Sequence, residues 1–281
     1  MTTRIEAVDY QAPDAQARFV QSLRDTGFGV LKNHPISKDL VSSIYANWKQ
    51  FFDSEEKDQY EFNVDTQDGF FPKSVSEVAK GHEVKDIKEY FHYYTWGQCP
   101  PELKDEIHNY YEQANGLARE LLTWVEGHSP EDVASHYSEP LTTMIEGSEK
   151  TLLRVLHYPE FKGDEEPGAI RAAAHEDINL LTILPAANEP GLQVKTKEGD
   201  WLDIPCEFGN LIINIGDMLQ EASGHYFPST THRVINPEGS DSRRARISLP
   251  LFLHPRPNVK LSDRYTAKEY LQERLRELGV M

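Results

Sequence analysis

The 281 residues carry 29 basic against 46 acidic side chains, a net charge of −17; so acidic a surface repels phosphate backbones and anionic lipid, and neither nucleic acid nor a membrane is an expected partner. No apolar run is long enough to span a bilayer. The two cysteines, Cys99 and Cys206, show neither metal-ligand spacing nor the number a disulfide framework needs, so they read as buried thiols in a reducing compartment.

The opening MTTRIEAVDYQAPDAQ lacks the apolar segment of a signal peptide, and the expected location is the cytoplasm. Residues 13–26 place apolar side chains at helical spacing, with Gly27 as the stop. FGVL (28–31) reads as a short strand ended by a turn at Asn33-His34-Pro35. Ser37 is the predicted N-cap of a helix to about Phe52, with Leu40, Val41, Ile44, Tyr45, Trp48 and Phe51 on one face. Polar, Gly-containing residues 53–82 read as loops, and the aromatic segment 86–94 as a strand edge. Pro100 and Pro101 open a long amphipathic helix, 102–126, before Gly127, and a short helix is expected after Pro130.

After about residue 150 the pattern changes to strands. These are 152–158, 178–184, a hairpin of 191–196 and 200–204 around Lys197-Glu198-Gly199, then 210–215, 232–236 and 245–253. A charged helix, 267–278, closes the chain. Many short strands separated by turn signals predict an all-β sandwich or closed jelly roll. The fold class is mainly β with flanking helices. The chain reads as a single domain over 1–281: a mostly helical N-terminal support layer (1–150), a jelly-roll core (151–255) and a C-terminal helix (256–281).

The chemistry centres on RAAAHEDINLLT (171–182). His175 and Asp177 are two residues apart beside a predicted strand, where alternate residues share a face. One imidazole and one carboxylate make two thirds of a facial triad for a divalent metal, typically non-haem Fe(II). The predicted third ligand is a distant histidine, His232, in STTHRVINP (229–237). A second feature is Arg246-x-Ser248 on a predicted strand. A guanidinium fork and a hydroxyl on one face suit the distal carboxylate of a dicarboxylic keto acid. Tyr158 is a candidate for the same pocket. Arg154 shares its strand face, whereas His157 points to the other.

These motifs are collinear with a known family. GFGVLKNHPI (27–36), DIKEYF (86–91), LRVLHYP (153–159), residues 175–184, GLQV (191–194), NIGDML (214–219), HRVINP (232–237) and RISLPLF (246–252) follow in order. The chain resembles the isopenicillin N synthase-like branch of the Fe(II)/2-oxoglutarate-dependent oxygenases over nearly its full length. The resemblance implies a distorted double-stranded β-helix. It assigns His175, Asp177 and His232 to iron, and Arg246, Ser248 and Tyr158 to 2-oxoglutarate. It further implies that dioxygen and 2-oxoglutarate are consumed, with release of succinate and carbon dioxide, while a small-molecule substrate is hydroxylated, desaturated or cyclised. Three departures stand out: Pro35 replaces a usual Gly, Leu156 replaces a frequent Asn, and the 232–246 loop is longer. Two other function classes fit the residues. One is an Fe(II) oxidase that uses no 2-oxoglutarate, with Arg246 and Ser248 holding a substrate carboxylate. The other is a non-enzymatic jelly roll holding a ligand or metal. Substrate identity and oligomeric state carry no signal.

Overall fold

The computed structural model describes residues 5–75, 86–160, 170–186, 191–236 and 244–277. The centre of the long 232–246 loop and part of the 53–82 stretch therefore lie outside the described residues.

The N-terminal half begins with strand β1 (Ala7–Asp9), helix α1 (Ala15–Thr26), strand β2 (Phe28–Lys32) and helix α2 (Lys38–Asp53). Gly27 ends α1 in the left-handed region, φ 75°, where a side chain would be strained. A Cβ there would also collide with Thr230 Oγ1, 2.3 Å away, so glycine lets α1 turn directly against the 228–230 segment. Ser37 caps α2 as predicted, accepting a hydrogen bond from the Leu40 amide at 3.3 Å. Strands β3 (Gly69–Phe71) and β4 (Glu89–Tyr93) follow, then the long helix α3 (Pro101–Gly127) and two single turns, α4 (Glu131–Ala134) and α5 (Leu141–Met144). Among the described residues, the first 150 thus supply four strands as well as helices. β4 is not an edge: it lies between β3 and β5 (Leu152–Tyr158). Its aromatic side chains suit a position covered on both faces.

The second half continues with β6 (Ala172–His175), β7 (Leu181–Pro185), β8 (Leu192–Lys195), β9 (Trp201–Asp203) and β10 (Leu211–Ile215). After helix α6 (Asp217–Ala222) come β11 (His232–Val234), β12 (Arg246–Ser248), β13 (Leu251–Leu253) and helix α7 (Ala267–Glu277). Pro250 splits the expected 245–253 strand into β12 and β13, because it has no amide to donate to the ladder. The large sheet runs β1-β2-β10-β7-β13-β5-β4-β3, with β12 also on β5; the small sheet runs β6-β11-β8-β9. Phe28, Val30 and Ile212 of the large sheet pack against Leu192 and Val194 of the small one, so the two sheets face each other across an apolar seam. This arrangement is consistent with a jelly-roll core. No described helix is long and apolar enough to cross a membrane.

Register divides the large sheet into two faces. Thr182 pairs with Asn214 on one side and Phe252 on the other, so all three point toward the small sheet. On β5 the same face carries Leu152, Arg154, Leu156 and Tyr158, and across from them stand His92, Tyr90, Ser248 and Arg246. The opposite face carries Leu153, Val155, Ile183, Ile213 and Leu251, which merge with buried residues of α1, α2 and α3 into the main core. Burial of that many large side chains is the principal source of stability here.

His157 points to this helical side, as the alternation requires. Glu89, its neighbour on β4, accepts from His157 Nδ1 at 2.8 Å and from Lys57 Nζ at 3.3 Å. Burial alone would raise the Glu89 pKa, but the hydrogen bond from His157 and the charge of Lys57 outweigh it and hold the carboxyl below its ordinary 4.5. A lowered folded pKa contributes stability that is complete above the unfolded value and is lost as pH falls through the folded one. Glu89→Gln is therefore expected to flatten the fall of Tm below about pH 4.5, measured by thermal unfolding from pH 7 to pH 3. An unchanged acid limb would overturn this account.

Candidate active site

His175 is the last residue of β6, and His232 opens β11 directly opposite it. The imidazole centroids are 4.4 Å apart. Asp177 is not on a strand with His175, as the two-residue spacing predicted. It lies in the turn between β6 and β7, and that turn delivers the carboxylate to the imidazoles by a different route. Asp177 Oδ1 is 3.8 Å from His175 Nε2 and 3.9 Å from His232 Nε2, and the three ligand atoms lie within 4.8 Å of one another. Among the described residues this is the one His/Cys/Asp/Glu cluster with metal-holding geometry.

The surroundings set the state of each ligand. His175 Nδ1 bonds the Ala173 carbonyl at 2.7 Å and His232 Nδ1 the Thr230 carbonyl at 3.1 Å. Each Nδ1 is therefore the donor, which leaves each Nε2 lone pair aimed at the cleft. Desolvation and the adjacent His232 push the His175 imidazole down to about 4, keeping it neutral at physiological pH. Asp177 Oδ2 accepts from Thr182 Oγ1 at 2.6 Å and Asn214 Nδ2 at 2.8 Å. Burial would raise the Asp177 pKa, but the two histidines and these two donors override it and keep the carboxyl below its usual range. Two imidazole nitrogens and one carboxylate oxygen form a donor set suited to Fe(II).

Thr182 and Asn214 lie within the motifs 175–184 and 214–219, but their role toward Asp177 escapes the sequence, because each sits inside an apolar strand run whose register only the folded sheet reveals. The one signal is a polar residue where the alternation calls for an apolar one. Gly216 has a similar role. A Cβ there would meet Asn179 O and Oδ1 at 2.2 Å, so glycine lets the turn after β10 close on the Asp177 turn, where the Asp217 amide donates to Asp177 O at 2.7 Å.

Farther along the same face, Arg246 stands directly opposite Tyr158, and Ser248 opposite Leu156. Nε and Nη1 of Arg246 are buried and lack a hydrogen-bond partner. Buried guanidinium N–H groups left unpaired are costly, and these two could take an acceptor oxygen from a ligand. Tyr45 of α2 also has a buried hydroxyl without a hydrogen-bond partner, and it lies within the electrostatic reach of Arg246. Leu156, where an Asn was the alternative, packs with Phe71, Tyr90 and Tyr158. His254 is held by the Phe252 carbonyl, and burial pushes it down to about 4. His225 is exposed on a turn, and the other arginine near the pair, Arg244, is exposed too. Cys99 and Cys206 are free thiols.

Residues 150–255 match the family model of the 2OG-Fe(II) oxygenase superfamily, and residues 5–115 match that of the N-terminal region of the non-haem dioxygenase in morphine synthesis. The chain is 28% identical over 275 residues to the 2-oxoglutarate-Fe(II) type oxidoreductase hxnY of Emericella nidulans, covering 87% of this chain and 76% of that one. A crystallised oxygenase candidate from Shewanella oneidensis is 63% identical, with 99% and 100% of the two chains covered and a TM-score of 0.91. A full-length Neurospora crassa protein crystallised in complex with alpha-KG shares the fold at 22% identity, with 97% and 95% covered and a TM-score of 0.80.

Proposed function

The chain belongs to the Fe(II)/2-oxoglutarate-dependent oxygenase superfamily, and from that premise we propose that it oxidises a small organic molecule, by hydroxylation in the first instance, and releases succinate and carbon dioxide. It is an oxidoreductase whose cofactors are Fe(II) and the cosubstrate 2-oxoglutarate, with dioxygen as oxidant. In this reading His175 Nε2, His232 Nε2 and Asp177 Oδ1 hold the iron. Arg246, Ser248 and Tyr158 hold 2-oxoglutarate. The observation that carries the reading is the pairing of a converging two-His, one-carboxylate set with buried, unsatisfied N–H groups of Arg246 on the face of the large sheet that looks toward the small one.

Bound iron supplies the redox chemistry that activates dioxygen. The residues of the chain position and shield. The carbonyls of Ala173 and Thr230 fix the histidine tautomers, Thr182 and Asn214 turn one oxygen of Asp177 toward the metal, and Arg246 sets the direction of the keto acid. On the same reading the N-terminal helices support the large sheet, and 1–281 works as one oxygenase domain with its jelly roll in 151–255 and a C-terminal helix in 256–281. The substrate is a small molecule, in keeping with the acidic surface.

The test is an anaerobic titration. Fe(II)-loaded protein is expected to develop the visible charge-transfer band of a chelated keto acid when 2-oxoglutarate is added. Iron binding without that band would favour an oxidase that uses no 2-oxoglutarate. Absence of iron binding would reduce the likeness to one of fold alone. The donors behind Asp177 give a graded prediction. Asn214→Ala and Thr182→Val are each expected to weaken Fe(II) binding by roughly 10- to 100-fold, read from the iron dependence of the band. Equal affinity in both variants would remove these residues from the site.

A further inference from the structure

Of the charged residues in the 86–91 segment, Glu89 is bound by His157 and Lys57 on the helical side of the large sheet. Asp86 and Lys88 form a separate pair. Lys88 Nζ donates to Asp86 Oδ2 at 2.8 Å, and both side chains are buried. The other carboxylate oxygen, Oδ1, accepts from the Ala173 amide at 3.1 Å, and close by the Ile87 amide donates to Ile170 O at 3.2 Å. The stretch ahead of β4 is thus bonded to β6 of the other sheet. β6 gains from such support. Among the described residues it stands at one end of the small sheet, with β11 as its one strand partner. Three of its four residues are alanines, whose short side chains bury little area. Ala173 is also the residue whose carbonyl accepts from His175 Nδ1 at 2.7 Å. One residue therefore meets Asp86 through its amide and His175 through its carbonyl.

We propose that Asp86 is a positioning residue for His175: by binding the Ala173 amide it fixes the carbonyl that orients the imidazole, while Lys88 holds the carboxylate in place. This rests on the assignment of His175 to the iron. Partners behind a ligating histidine fix its tautomer and ring direction, and their loss costs about 10- to 100-fold in metal affinity. A buried ion pair alone is a weak source of stability, because desolvation of both charges offsets their attraction. What distinguishes Asp86–Lys88 is the second bond of the carboxylate, which leads to the backbone that carries a metal ligand.

Two double variants isolate that bond. Asp86→Ala/Lys88→Met and Asp86→Asn/Lys88→Met each remove both charges, but only the asparagine keeps an oxygen for the Ala173 amide. Both are compared with the parent well below their Tm, with the folded state checked by circular dichroism. Glu89→Gln serves as the control for a loss of stability elsewhere in the same segment. The first readout is nitrogen-edited NMR of the imidazoles in the metal-free protein, with His175 identified by the signals lost in His175→Gln. The parent and the asparagine variant are expected to carry the His175 proton on Nδ1. The alanine variant is expected to show both tautomers, with His232 unchanged. The second readout is the Fe(II) midpoint of the charge-transfer titration at saturating 2-oxoglutarate. It should weaken by about tenfold or more in the alanine variant, and stay within about threefold of the parent in the asparagine variant and in Glu89→Gln. A parent-like tautomer and midpoint in the alanine variant would overturn the proposal. So would equal losses in the two double variants, which would trace the effect to the ion pair and not to the bond with Ala173. Absence of Fe(II) binding in the parent would instead overturn the oxygenase reading, and the tautomer comparison would still decide the role of Asp86.

Discussion

Purified Asp177→Ala is expected to release no detectable succinate from 2-oxoglutarate and to lose high-affinity Fe(II) binding. Asp177 is the one carboxylate among the three converging ligands, and burial keeps the His175 imidazole beside it neutral. Without it the ion keeps two imidazole donors and no charge compensation. The residue is also embedded: Oδ2 takes hydrogen bonds from Thr182 and Asn214, and the Asp177 carbonyl takes one from the Asp217 amide. Truncation leaves two buried donors unpaired, a cost of about 1–3 kcal/mol each, so some loss of stability is expected too. Asp177→Asn separates the two effects. It fills the space and gives up the charge, and is expected to restore Tm toward that of the parent without restoring activity. Succinate release at the parent rate from either folded variant would sink the assignment of this carboxylate to the metal.

Much of this site was legible in the sequence, for identifiable reasons. The histidines, Asp177 and the Arg246–Ser248 pair are side chains whose chemistry is unusual wherever they stand, and the order of the motifs along the chain supplied their context. The helices α1 and α2 were readable because Gly27 and Ser37 mark their ends by local backbone rules. What escaped depends on contacts distant in sequence. β6 is four residues long, Ala-Ala-Ala-His, and becomes a strand only because β11 pairs with it. β3 lies in a Gly-containing polar stretch and is organised by β4. α6 is six residues and has no side-chain cap. The convergence of His175 and Asp177 was foreseen with the wrong geometry, since alternation within a strand was assumed where a turn does the work. The roles of Thr182 and Asn214 follow from a register between strands about thirty residues apart, which no local pattern encodes.

Arg246→Ala is expected to weaken 2-oxoglutarate binding by about 10- to 100-fold, the equivalent of one charge-assisted interaction worth about 1.5–3 kcal/mol. The argument turns on what the guanidinium does without a ligand. Two of its nitrogens are buried and unpaired, so in the ligand-free protein it contributes desolvation cost with no matching bond. Removing it should therefore leave the ligand-free Tm unchanged or slightly higher. The stabilisation that a fixed concentration of 2-oxoglutarate gives the parent should shrink by about 1.4–2.7 kcal/mol, since a ligand stabilises the folded state by RT ln(1 + [L]/Kd). A purely structural arginine would show the opposite pattern, a lower ligand-free Tm with the 2-oxoglutarate shift preserved. Arg246→Lys refines the test: it keeps a charge but cannot offer two parallel N–H groups, and an intermediate affinity is expected. If the midpoint of the charge-transfer titration is the same in all three proteins, the distal carboxylate is held elsewhere. The buried N–H groups of Arg246 would then be matched to a carboxylate on the substrate itself, and the reading would pass to an Fe(II) oxidase that dispenses with 2-oxoglutarate.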